Sequence, residues 1–122
     1  MDRVQRAYSP SAGAAADARD SARTTAHQWG LSPDDVVLVV SELASNAIRH
    51  AESPFELGIE RRDGAMLIEV SDNSSAPAAV RTPQVGVAGG RGLVIVDQVA
   101  RKWGSRLGPH GGKTVWVEVG LQ

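Results

Sequence analysis

Glu42 and Asn46 stand four residues apart in SELASNAIRHA, a spacing that places two side chains on one face of a helix. A carboxamide oxygen in that position can ligate Mg²⁺, and a carboxylate beside it can orient a water or accept a proton. The same spacing also describes an ordinary solvated helix face, so the pair needs partners elsewhere in the chain. Asp72 follows directly on the apolar run MLIEV, at the mouth of a long irregular segment. It can hold a fixed acceptor for a ligand N–H, or simply close an Asx turn with Asn73 and Ser74. Gly89-Gly90-Arg91-Gly92 ends that segment and leads into another apolar run. Glycines let backbone approach a ligand closely, N–H groups opening a helix attract phosphate, and Arg91 can add a charge-assisted contact. A flexible hinge has the same composition.

Other chemistries fail on spacing. Gly112-Lys113-Thr114 invites a phosphate-binding P-loop, but the required preceding glycine falls on Leu107, and the segment leads into a strand pattern where a helix is needed. A dinucleotide fingerprint starting at Gly90 needs glycine at 95, which is Ile95. His27, His50 and His110 are scattered without acids at zinc-ligand spacing, and no G-x-S-x-G occurs.

The elements that must position these residues are legible in outline. Residues 1–11 form an irregular or edge segment, and residues 12–29 an Ala-rich helix stopped by Gly30. Ser32, Pro33, Asp34 and Asp35 open a second helix running to Ala51, with Ser32 as its cap. Its apolar set is Val36, Val37, Val40, Leu43, Ala44, Ala47 and Ile48. Phe55, Leu57 and Ile59 alternate with polar or small neighbours, Asp63-Gly64 marks a turn, and Met66 to Val70 return as a second strand. Residues 72–90 carry no period and are long for a connection in a small domain. A helix from Gly92 to Trp103 follows, then a strand from Ser105 to Leu107, a turn at 109–112, and a last strand from Thr114 to Val119. This order specifies an α+β protein, with helices on one face of a mixed, largely antiparallel sheet. Trp29, Trp103 and Trp116 read as core residues, and Arg61-Arg62 as a solvated edge.

The 122 residues suit one domain, and 42% hydrophobic with 22% charged residues is ordinary globular composition. Aromatics are only 4%, so aliphatic side chains must fill the core. A net charge of -1 argues against binding nucleic acid by bulk charge and against a polybasic membrane anchor. With Cys 0, disulfides, thiolate metal sites and a cysteine nucleophile are excluded. No apolar run has membrane-helix length, and the N-terminal residues lack a signal-peptide pattern, so a cytoplasmic protein is expected.

Taken in order, SELASNAIRHA, VSDNSSAP, GGRGLVIVDQVA and GGKTVWVEV resemble the GHKL ATP-binding superfamily. Within it the chain is most similar to small regulators related to anti-sigma factor serine/threonine kinases, across roughly residues 12–120. The resemblance implies a Bergerat-type two-layer sandwich with residues 72–90 as the ATP lid. It implies that Asn46 ligates the Mg²⁺ bridging the phosphates and that Glu42 is the catalytic carboxylate. Asp72 then accepts from the adenine amino group. Gly90, Arg91, Gly92 and Leu93 line the nucleotide at the lid's end, and Thr114 supports the adenine. Arg91 can also stabilise charge on the transferred phosphoryl group. Two departures accompany the match. Asn73-Ser74-Ser75 stands where a glycine is frequent, and Val87-Ala88 where some members place an arginine.

The implied activity is transfer of the ATP terminal phosphoryl group to a serine of an antagonist protein, in a partner switch that also involves a sigma factor. A homodimer is compatible with the resemblance. An ATP-responsive binding module without turnover is the alternative, and a scaffold that has lost its nucleotide is a third.

Overall fold

The computed structural model describes residues 3–11, 13–51, 54–62, 64–73, 92–108 and 111–120. The chain runs β1 (Arg3–Tyr8), α1 (Ala14–Gln28), α2 (Asp34–Ala51), β2 (Phe55–Arg62), β3 (Ala65–Asp72), α3 (Gly92–Val99), β4 (Lys102–Leu107) and β5 (Lys113–Gly120). The strands form one sheet in the order β1-β2-β3-β5-β4. All four pairings are antiparallel, with Ile59 opposite Ile68 in the β2–β3 hairpin and Ile68 opposite Val117 in the β3–β5 pair. This is the expected α+β sandwich, and its sheet is wholly antiparallel rather than mixed.

Alternation decides the two faces of the sheet. Phe55, Leu57 and Ile59 of β2, Met66, Ile68 and Val70 of β3, and Val115, Val117 and Val119 of β5 are all buried. They face the helix layer, where Val36, Val39, Val40, Leu43, Ala44 and Ala47 of α2 meet them. Ala14, Ala18 and Ala22 repeat every four residues along α1 and let that helix pack closely on α2. The core is therefore aliphatic, as the aromatic count requires; Phe55 is its one large ring, stacked on Tyr8 of β1 with centroids 5.3 Å apart.

Helix ends follow local chemistry. At the end of α1 the Leu31 N–H donates to the Ala26 carbonyl at 2.8 Å and the Gly30 N–H to the His27 carbonyl at 3.1 Å, with Gly30 at φ +69°. This is a Schellman stop, and glycine supplies the left-handed residue it needs. In α2 the first helical bond runs from the Val37 N–H to the Pro33 carbonyl at 2.8 Å, so the cap position falls on Pro33, one residue after the expected Ser32.

Two expectations fail. The last helix does not reach Trp103 but ends at Val99, because the Arg101 N–H turns to the Glu118 carbonyl at 2.8 Å and the chain enters the sheet as β4. Trp103 lies on that strand, packs against the core, and donates from Nε1 to Asp97 Oδ1 of α3 at 2.9 Å. Trp116 is not a core residue. It lies half-buried on the outer face, its ring over Gly104, where an added Cβ would meet the indole at 2.8 Å. The segment at 1–11 is an edge strand from Arg3 to Tyr8.

Candidate functional site

The helix layer places α2 between α1 and α3 and over β3. Arg19 of α1 donates to Ser41 Oγ at 3.5 Å, which marks the flank of α2 that meets α1. Glu42 and Asn46 follow Ser41 by about 100° and 140° around the helix, so they lie towards the opposite flank, the α3 side. Both are half-buried. Their shared flank explains why neither belongs to the fully buried stripe centred on Leu43 and Ala47.

Asp72 is the last residue of β3 and continues the inward phase of Ile68 and Val70. Opposite it in the register is Lys113, the first residue of β5, in phase with Val115 and Val117. The Lys113 ammonium lies 3.9 Å from Asp72 Oδ2, and the two side chains are 5% and 3% exposed. This buried pair occupies the sheet face covered by α2. Gly112 braces it: an added Cβ there would lie 2.6 Å from the Asp72 carbonyl oxygen. Only glycine lets the β4–β5 turn approach the end of β3 this closely.

Thr114 lies elsewhere. It pairs with Ser71, and their hydroxyls are 2.7 Å apart on the outer face of the sheet, away from Asp72. One residue of parity separates the two faces, so the side chain that shares Asp72's environment is Lys113. Alternation already contained this signal, since Lys113 is in phase with Val115, Val117 and Val119.

Gly92 is the first residue of α3, and Leu93 follows it in that helix. Gly90 and Arg91, with the lid expectation beyond Asn73, lie outside the described residues. Among the described residues no cluster of three or more His, Cys, Asp or Glu could hold a metal ion. One carboxamide with a carboxylate nearby is nevertheless a donor set for Mg²⁺ carried on phosphates, which needs only one or two protein oxygens. Among those residues, no helix is long and apolar enough to cross a membrane.

A model of the histidine kinase-like ATPase domain matches residues 8–118. The chain belongs to this family. It is a GHKL ATP-binding domain, as the ordered motifs anticipated, and the sheet with the described helices on one face is the corresponding fold. The fold is similar to the crystal structure of the RsbU and RsbW domains of Rv1364c from Mycobacterium tuberculosis. That match has a TM-score of 0.73 at 18% identity, and covers 99% of this chain and 32% of the other. The chain thus corresponds to about a third of that longer polypeptide. No match is found among curated proteins.

Proposed function

We propose that this GHKL domain binds Mg·ATP and transfers the terminal phosphoryl group to a serine of an antagonist protein, as a cytoplasmic partner-switch regulator whose other partner is a sigma factor. The observation that supports this most is the placing of Asp72: a carboxylate buried at the end of β3, on the sheet face covered by the helix that carries Glu42 and Asn46. A buried acceptor suits the exocyclic amino group of adenine, whereas a carboxylate kept only for stability would favour water. Gly92 opens α3, and the N–H groups of a helix start suit the phosphates. Gly90, Arg91 and Leu93 belong to the same nucleotide-binding set, on the strength of their sequence. Thr114, which the resemblance assigns to supporting the adenine, engages Ser71 through its hydroxyl on the other face of the sheet, so the support it gives the base is indirect.

Asn46 is the residue to hold Mg²⁺, through its amide oxygen. The ion, when bound, neutralises charge on the phosphates. Glu42 accepts the proton of the target serine as its Oγ bonds to the terminal phosphorus; the bond to the bridging oxygen breaks and ADP leaves. Positioning and electrostatics supply most of the rate in such a transfer. A pair of these domains is a compatible assembly.

Calorimetric titration tests the site, and labelled phosphoryl transfer to purified candidate antagonists tests the chemistry. Wild type is expected to bind Mg·ATP, Asp72→Asn to lose that binding, and Asn46→Ala to bind weakly and without dependence on Mg²⁺. Glu42→Gln should keep ATP and lose transfer. Transfer undiminished in Glu42→Gln removes Glu42 as the base. Tight ATP binding with no labelled product on any antagonist makes the domain an ATP-responsive binding module.

A further inference from the structure

Lys113 has no role in the reading above, yet its side chain is 5% exposed and its ammonium lies beside the carboxylate assigned to the base. Placing a lysine there costs desolvation free energy that a strand-end residue could avoid by turning outward. Its neighbours in phase, Val115 and Val117, show what a merely structural inward position on this strand contains.

At 3.9 Å the ammonium lies beyond direct hydrogen-bond reach of Asp72 Oδ2, so the two groups stand side by side as opposite charges. A carboxylate only accepts and an ammonium only donates. Side by side they are complementary to a planar edge that sets a donor next to an acceptor, each about 2.9 Å from its partner. Adenine presents such an edge: its amino group is flanked by ring nitrogens that accept.

We propose that Lys113 reads the base: it donates to a ring nitrogen flanking the adenine amino group while Asp72 accepts from that group, so recognition is by two points of opposite sense. This rests on the assignment of Asp72 to adenine. Lys113 is then a specificity-determining residue of the nucleotide site, contributed by β5.

Analogues in which one ring nitrogen is replaced by carbon test this without altering the protein. Wild type should bind ATP at least about tenfold more tightly than either 1-deaza-ATP or 7-deaza-ATP, whichever lacks the contacted nitrogen, since a hydrogen bond to a charged group is worth that much. Lys113→Met, of similar length and without a donor, should bind ATP and that analogue alike. Equal affinity of wild type for ATP and both analogues overturns the role of Lys113 and leaves the ATP site standing. A preference that persists in Lys113→Met overturns it too. Failure of wild type to bind ATP at all overturns the assignment of Asp72 first, and this inference with it. Where Lys113→Met folds poorly, Lys113→Gln, which keeps a neutral donor, takes its place: the wild-type ratio should shrink severalfold in it, and a ratio unchanged from wild type overturns the role of Lys113.

Discussion

Asp72 and Lys113 meet on the inner face of the β3–β5 ladder, and Glu69 meets Arg3 and Arg106 on its outer face only three residues back along β3. The outer cluster has the better geometry: Arg106 Nη2 lies 2.6 Å from Glu69 Oε2, and Arg3 Nη1 lies 3.2 Å from Oε1. Gly58 makes the second contact possible, since a Cβ there would sit 2.7 Å from the Arg3 guanidinium. Yet both arginines stay largely in water, where such contacts stabilise little. The inner pair has a long separation and is almost wholly buried, an arrangement in which desolvation weighs heavily against attraction. The short contacts are made by arginines that stay in water and the long one by a pair that burial penalises, which is the reverse of what stability alone would select. Departures of this kind concentrate where a protein binds something.

Breaking the inner pair is therefore expected to give the largest effect. Asp72→Ala leaves a buried ammonium without its carboxylate and should lower stability by about 3–5 kcal/mol, measured by urea unfolding. ATP binding should be lost as well. A stability loss no greater than that of an exposed ion pair would mean that Lys113 simply turns out to solvent, and the contrast between the faces would collapse.

Two glycines sharpen the same comparison at a lower level. At Gly112 an added Cβ meets a backbone atom, the Asp72 carbonyl oxygen at 2.6 Å, which can move only by displacing the end of β3. Gly112→Ala should cost about 1–3 kcal/mol, as overpacking does, and should weaken ATP binding without changing any functional group. At Gly104 the Cβ meets the ring of Trp116, a half-buried side chain free to turn outward. Gly104→Ala should stay within about 0.5 kcal/mol of wild type and leave ATP affinity alone. Equal losses at the two glycines would show that the inner end is no more constrained than the outer face.

The sequence made most of this fold legible because its patterns were local. The Gly30 stop, the acidic start of α2 and the alternation in β2 are each decided within a few residues. The end of α3 was not, because VIVDQVARKW keeps a helical pattern, and what stops it is a sheet bond from Arg101 to Glu118, seventeen positions away. Glu42, Asn46 and Asp72 stood out by residue type and spacing. Lys113 did not, since a lysine in a glycine turn looks solvated until the phase of the following valines is counted and the register with β3 is known. Its significance comes from a neighbour in space, Asp72, about forty residues distant in sequence.

The smallest expected effect lies on the outer face and depends on pH. Burial alone would raise the Glu69 carboxyl, but hydrogen bonds from Arg106 and Arg3 and their charges outweigh it, and the group titrates below its ordinary 4.5. A carboxyl lowered on folding stabilises the native state at pH values above the unfolded group's, and that contribution drains away as pH falls through the lowered folded value. Glu69→Gln should therefore cost about 0.5–1 kcal/mol near neutrality, the range for partly exposed pairs. The gap between wild type and variant should narrow as urea unfolding is repeated below pH 4.5. A gap that stays constant across that range would assign the loss to packing over Gly58 instead of charge. The outer cluster would then be a cover for the sheet that happens to be charged, and the inner pair the stronger exception.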